Sequence, residues 1–324
     1  MPDTSTFTRT SSTVDAPRIL GADVAKREIV IHDSRDGRLH RIANDPDALH
    51  AALARLGPAD LVVCETTGGY ERALLAASLM LKQPVHRADA ARVKAFIASH
   101  GGKAKTDPID AAWLAQYGRE RLKTLTPWRP PCPTREAIAI CMRHRQAVIA
   151  SRTAARNRLA APGQEAVADL LEAEIGFLTA QIEMLDARIG ELAATSATIV
   201  RDEQALRAIP GIGPVLARSL IAFIPELGNL SAKAVASLAG LAPHPRESGE
   251  TSRRRRMSGG RDGLRSIAFM AALTAARRHP SLAAFYNRLV QAGKPKRLAL
   301  AAVARKLVII ANAVLKQART ATND

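Results

Sequence analysis

The sequence is poor in aromatic residues, which make up 3% of its 324 positions. Proteins that grip unpaired strands lay bases on rows of aromatic side chains, so this scarcity argues against a stacking platform and for contacts to phosphate. Cysteine is scarce as well. Cys64, Cys132 and Cys141 are too few for a disulfide scaffold and form no CxxC pair for zinc, which places the chain in a reducing cytosol of bacterial type. No run of 18 uncharged apolar residues predicts a membrane span. Residues 1–17, MPDTSTFTRTSSTVDAP, lack the apolar core of a secretory signal and read as a disordered tail. Acid is the most unevenly missing component, with none from Gly263 to Asn323.

What is present follows from that last gap. Hydrophobic residues reach 47%, enough for a real core, and the formal net charge is +17. Residues 251–324 carry 16 Lys and Arg against Asp262 and Asp324, a net of +14, so the rest of the chain is close to neutral. A segment of one sign repels itself unless a polyanion neutralises it, and nucleic acid is the expected partner. A basic solubilising tail fits less well, because the segment is rich in Ala, Leu, Ile and Val at helical spacing.

Four regions are expected: the tail, a domain over 18–130, a helical connector over 131–200 and a basic C-terminal domain over 201–324. In the first domain, strands are predicted over Arg18–Val24, Glu28–His32, Leu39–Ile42, Asp60–Glu65 and Pro84–Arg87. Helices are predicted over Pro46–Leu56, Tyr70–Leu81, Ala90–Ser99 and Asp107–Tyr117, with Asp89 capping the third. The order βββαβαβα is that of the ribonuclease-H-like fold, giving an α/β domain followed by helices.

After a proline-rich joint, Thr126–Arg135, the chain is helical for about 65 residues. Leu171, Ile175, Leu178, Ile182, Leu185, Ile189 and Leu192 step by alternating fours and threes. Such a seam packs as a coiled coil between subunits, between two helices of one subunit, or as an amphipathic face on its own domain. Leu206–Ala222, LRAIPGIGPVLARSLIA, stops a helix at Pro210-Gly211 and restarts one after Gly213-Pro214. It reads either as a helix-hairpin-helix element, whose backbone N–H groups at Gly211 and Gly213 hold a phosphate, or as a plain inter-helix turn. Helices are expected over Ala232–Ala239, Gly263–Arg278 and Leu298–Lys316, with a Gly/Ser/Arg loop from Pro243 to Gly263. The basic residues expected on nucleic acid are Arg246, Arg253, Arg254, Arg255, Arg256, Arg261, Arg265, Lys294, Lys296 and Arg297.

Cutting phosphodiesters on a ribonuclease-H-like fold takes carboxylates around two divalent ions about 4 Å apart. Asp23 lies within an apolar strand, Glu65 ends the strand after the first helix, and Asp107 and Asp110 share one helix face. An acid in an apolar strand is costly unless it is paired or metal-bound. Taken singly, Asp23 and Glu65 also read as strand-end acids, and Asp107 and Asp110 as helix-start acids. Together, on three elements in this order, they form a far more specific signal.

The pieces GADVAK (21–26), CETTGGYE (64–71) and KTDPIDA (105–111) resemble the D-E-D-D motifs of insertion-sequence transposases with a RuvC-like N-terminal domain. The pieces AIPGIGPVLA (208–217), LAGLAP (238–243) and RESGE (246–250) resemble the serine-bearing second domain of the same family. The resemblance spans the chain beyond residue 17. It implies that Asp23, Glu65, Asp107 and Asp110 bind Mg²⁺, two ions in number, with Mn²⁺ able to substitute. It also implies that Ser248 is the nucleophile, with Ser252 and Ser258 as rival assignments, and that the reaction is phosphoryl transfer. A structured bridge RNA, double-stranded donor and target DNA, and further copies of the chain joined through the coiled coil are the implied partners. The location implied is the bacterial cytoplasm, at the nucleoid. Two other readings share the charge pattern: a hydrolytic RuvC-like nuclease and a non-catalytic nucleic-acid-binding protein.

Overall fold

The computed structural model describes residues 16–101, 107–248, 251–261 and 263–321, with 107–109, 244–248 and 251–256 described by backbone alone. Most of the tail read over 1–17 therefore lies outside the described residues. The chain divides into two compact units, Met1–Pro130 and Pro131–Asp324.

The first unit is a mixed sheet between two layers of helices. Its strands are β1 (Ile19–Val24), β2 (Glu28–Asp33), β3 (Leu39–Ala43), β4 (Leu61–Glu65) and β5 (Val85–Ala88), in the order β3-β2-β1-β4-β5. β1, β2 and β3 pair antiparallel, whereas β4 and β5 join parallel to β1. The central strands ILGADV and LVVCE are buried on both faces, which is why their sequences are nearly continuous apolar runs. Helices α1 (Pro46–Leu56) and α2 (Arg72–Met80) cover one face, packing Leu49, Leu53, Leu74 and Leu75 on Leu20, Ala22, Val62 and Cys64. Helices α3 (Ala90–Ser99) and α4 (Asp107–Arg121) cover the other, packing Val93, Phe96, Leu114 and Ala115 on Ile19, Leu61 and Val63. Asp45 caps α1 through the Asp47 and Ala48 amides, and Asp89 caps α3 through that of Arg92. The strands and helices predicted for this region are all present, with ends shifted by a few residues.

Two glycines set how closely α4 lies on the sheet. A Cβ on Gly21 would sit 2.1 Å from the Ala111 carbonyl oxygen and 2.4 Å from the Ala115 nitrogen. One on Gly118 would sit 2.7 Å from methyl groups of both Ile19 and Val63. Helix and sheet are thus in backbone contact over β1.

The second unit is helical apart from one β-hairpin. Helices α5 (Pro133–Leu159) and α6 (Ala168–Ala194) form an antiparallel pair, clamped by Arg145–Asp186 at 2.7 Å and Arg158–Glu174 at 3.0 Å. The heptad seam faces α5 of the same chain: Leu171, Ile182 and Ile189 are buried, and Ile175, Leu178, Leu185 and Leu192 half-buried. One end of this pair enters the unit's main core, where Ile138, Met142, Ile189 and Ala193 join Leu206, Leu220, Ala268 and Leu307.

Then follow α7 (Ala197–Arg207), α8 (Pro214–Phe223), α9 (Ala232–Leu238), β6 (Pro243–Ser248), β7 (Thr251–Met257), α10 (Leu264–Arg278), α11 (Pro280–Gln291) and α12 (Lys296–Thr320). The hairpin replaces the loop expected from Pro243 to Gly263, and α11 had no counterpart in the sequence reading. Helix α12 is long and apolar enough to cross a membrane by composition, yet Val303, Ala304, Leu307, Val308, Ala311 and Leu315 are fully buried in the core. Asp202 of α7, 1% exposed, accepts bonds from Arg135 of α5 at 3.4 Å and Arg319 of α12 at 2.6 Å. The first and last helices of the unit thus share one buried carboxylate.

Candidate functional site

The parallel register aligns Ile19 with Leu61 and runs in step to Ala22 beside Cys64. One further step sets Asp23 beside Glu65, at the carboxyl ends of two neighbouring strands. Side chains alternate between sheet faces, so Ile19, Gly21 and Asp23 share a face with Leu61, Val63 and Glu65, the face that α4 covers. Helix α4 runs with Gly118 over Ile19 and Val63, and with Ala111 and Ala115 over Gly21. Its first turn, which carries Asp107 and Asp110, therefore points toward the Asp23 end of β1. Asp23 and Glu65 thus lie at the carboxyl ends of the two central strands, with the backbone positions of Asp107 and Asp110 directed toward that end. Asp23, Glu65 and Asp110 are half-buried, and each already takes part in a polar or electrostatic interaction. The side chain of Asp107 lies outside the described residues.

A set of carboxylates is a hard-oxygen donor set, suited to Mg²⁺ or Mn²⁺ rather than to softer ions. The donor chemistry fits such an ion. Among the described residues no three His, Cys, Asp or Glu side chains are gathered into a ready ligand group.

Sequence reasoning gave no role to Glu71, the last residue of CETTGGYE. Its carboxylate is 1% exposed and accepts bonds from the Thr67 hydroxyl at 2.8 Å, the Gly69 amide at 2.9 Å and the Thr67 amide at 3.3 Å. Arg87 of β5 pairs with it at 2.6 Å. Burial pushes this carboxyl upward. Bonds from its own amide, Thr67 and Gly69, with the Arg87 charge, outweigh burial and hold it at about 2. Gly68 and Gly69 take φ values of 74° and 116°, open to glycine, so the loop can fold back onto Glu71. Glu71 thus fixes the loop that leaves the Glu65 end of β4. The sequence signal for it is an acid just before a helix, two residues after a glycine pair.

In the second unit Ser248 ends β6 and pairs with Thr251, the first residue of β7, so it stands at the hairpin's turn. Arg246 is set opposite Arg253, and a bulge between His244 and Arg246 offsets the pairing below. The side chains of Ser248, Arg246, Arg253, Arg254, Arg255 and Arg256 lie outside the described residues, as does Glu250 in the turn.

Two of the residues expected on nucleic acid are already packed or paired within the fold. Gly211, at φ 100°, packs against α10, where a Cβ would come 2.5 Å from that of Ala275, so its bare backbone serves helix packing. Gly213 has open space around its α-carbon and stands at the start of α8 with no side-chain cap. Arg261 is already engaged, donating to Glu226 at 2.7 and 2.8 Å and to the Phe223 carbonyl oxygen at 2.9 Å. That bond holds the Glu226 carboxyl below its usual range, against the effect of burial. Lys294, Lys296 and Arg297 are exposed around the start of α12, and Arg265 is half-buried in α10.

Comparison with known proteins turns these features into a class. A transposase family model matches residues 20–162, and the model of the transposase IS116/IS110/IS902 family matches residues 203–287. The pilin gene-inverting proteins of Moraxella lacunata and Moraxella bovis are each 29% identical over 270 residues, spanning 80% of this chain and 80% of theirs. An uncharacterized 44.8 kDa protein of insertion element IS116 from Streptomyces clavuligerus is 31% identical over 64% of this chain and 51% of its own. The RuvC structure of Thermus thermophilus covers 34% of this chain at 17% identity with a TM-score of 0.26, too slight a likeness to carry a structural argument. The class is that of the DNA transposases and recombinases, an enzyme class. Within it, this chain belongs to the IS116/IS110/IS902 transposase family.

Proposed function

We propose that the chain cuts and rejoins DNA strands of an insertion element by metal-dependent phosphoryl transfer, with Ser248 as nucleophile and a bridge RNA choosing the sites. The observation that carries this reading is the placement of Asp23 and Glu65 at the neighbouring carboxyl ends of β1 and β4, with the first turn of α4 directed toward them, on a sheet of ribonuclease-H-like strand order. Asp23, Glu65, Asp107 and Asp110 would hold the divalent ions. Bound there, such ions would supply charge to steady a phosphate. Ser248 Oγ forms a bond to phosphorus as the bond to the leaving sugar oxygen breaks. The serine proton passes to a base and the departing oxygen takes one up. Rejoining reverses these steps with a different strand's hydroxyl, so no external energy source is needed. The paired Arg246 and Arg253 positions, with the basic helices that follow, bind the phosphates around it.

The partners in this reading are donor and target DNA, the RNA and further copies of the chain. The seam from Leu171 to Leu192 is already covered by α5, so it does not join subunits. The opposite face of α6 carries a second heptad stripe, Leu170, Ala173, Phe177, Ala180, Met184 and Ala187, all exposed, with Leu170, Phe177 and Met184 at 66, 63 and 72%. Alternation of large and alanine residues suits close pairing with the same helix of a second copy.

Incubation with RNA, DNA and Mg²⁺ tests the chemistry. A protein–DNA adduct should form and map to Ser248, and Ser248→Ala should abolish adduct and strand exchange together. Undiminished strand cutting by Ser248→Ala would establish the hydrolytic nuclease instead. For the assembly, Phe177→Glu with Met184→Glu should lower the mass measured by sedimentation, whereas Leu178, on the covered seam, should tolerate only apolar replacements.

A further inference from the structure

Beside the base of the hairpin lies a cavity of about 570 Å³, bounded by Met257, Gly259–Gly260, the first turns of α10 and the start of α12. Its size falls within the ~300–1,000 Å³ of pockets that enclose small ligands. The floor is apolar, with Leu241, Met257 and Phe269, and no acid among the described residues lines it. Three arginines do: Arg261, Arg265 and Arg297. Arg261 is spent on Glu226, and the other two are not. Arg297 is exposed and makes no ion pair with a described acid.

Arg265 is positioned by its neighbours and keeps donors to spare. Its Nη2 donates to the Gly259 carbonyl oxygen at 2.7 Å, which fixes the plane of the guanidinium. A Cβ on Gly240 would stand 3.1 and 3.2 Å from Nη2 and Nε, so the missing side chain leaves the berth in which the group lies. Nε itself is buried and has no hydrogen-bond partner. A buried charged donor without an acceptor is costly, and it calls for an anion.

We propose that this cavity receives one unstacked nucleotide of a bound strand, its phosphate on Arg265 and Arg297 and its base against Phe269 and Met257. An anion joined to a flat apolar body is what two unspent guanidinium groups over an aromatic floor accommodate. Six residue steps along β7 separate Met257 from Thr251, roughly 20 Å at ~3.3 Å per residue. The cavity is therefore distinct from the phosphate that Ser248 would attack. One aromatic residue suffices here, in keeping with a chain that has few.

The inference rests on the reading of the chain as a nucleic-acid recombinase, and the test separates the two. Binding of labelled single strands, DNA and RNA of one sequence, is measured in chelator, so that no chemistry intrudes. Each strand is used intact and with one abasic site placed at each position in turn. In the intact strand Arg265→Met should weaken binding about tenfold and lower the salt slope by about 0.7, the share of one phosphate on a single strand. Arg265→Lys should not restore it, because it lacks the planar fork that bonds Gly259 and a phosphate together. Phe269→Leu should weaken intact strands several-fold and leave the strand that is abasic at the responsive position unchanged. Arg297→Gln, at an exposed residue that does not bear on folding, should reproduce part of the Arg265→Met effect. The strand type that responds, DNA or RNA, identifies the source of the nucleotide. Strong wild-type binding with no change in any variant would overturn the pocket alone. No binding of either strand would also overturn the pocket, and only failure to bind duplex DNA in the same buffer would overturn the recombinase reading with it.

Discussion

At the scale of single residues, the proposed acid site rests on neighbours that shape the loop and helix around it. Glu71 is the clearest. Its folded carboxyl lies at about 2, below the ordinary 4.5. The stability it contributes is therefore complete above about 4.5 and is lost as pH falls toward about 2. Urea midpoints measured from pH 6 to pH 2.5 should fall over that window, and Glu71→Gln should flatten the dependence. Glu71→Ala strands Arg87 and frees the 66–71 loop, and should cost about 3 kcal/mol by denaturation. Gly21 is the second such residue. Gly21→Ala thrusts a methyl group into the backbone of α4 and should cost about 1–3 kcal/mol, with strand exchange falling further than stability because Asp107 and Asp110 ride on that helix. The four acids were legible because each is chemically out of place or starts a helix. Glu71 was not, since an acid before a helix reads first as a surface cap and only the fold shows it buried.

At the scale of elements, sequence and structure agree where an apolar run or a capped apolar period marks the element. β1 and β4 have the first, α1 and α3 the second, and their ends fall close to the expected ones. The hairpin β6–β7 has neither. Its strands, PHPRES and TSRRRRM, alternate no apolar face, so nothing in them marks a strand. A lone two-stranded hairpin is marginal in water, and like charges set opposite each other weaken it further. Amides of 243–257 should therefore exchange fast in the free protein and slow at least tenfold when DNA neutralises the Arg246–Arg253 pair, as hydrogen-exchange mass spectrometry would register. Helix α11, absent from the sequence reading, opens on Pro280 in its first turn, where the missing N–H costs nothing. On α6 the seam facing α5 was visible, but the second stripe was masked by its alanines. Gly176 lies on that helix with open space where a Cβ would go. Gly176→Ala should stabilise the helix by about 0.5–1 kcal/mol, seen as a raised melting temperature.

At the scale of the whole molecule, the charge has an address. Most of the +17 sits in the last quarter of the chain, on helices whose inner faces build a core largely from alanine, leucine and valine and whose outer faces carry lysine and arginine. Affinity for duplex DNA should accordingly fall about a thousandfold or more between roughly 50 and 200 mM salt, as a titration in that range would show. The buried carboxylate of Asp202 holds this unit shut. Asp202→Ala leaves Arg135 and Arg319 without their partner and should cost about 3–5 kcal/mol, with protection lost first in α7 and α12. The same carboxylate has a consequence for how the unit comes apart. Because it ties the first turn of α5 to the last turn of α12, neither helix end can peel from the core alone, and the two should open in one step.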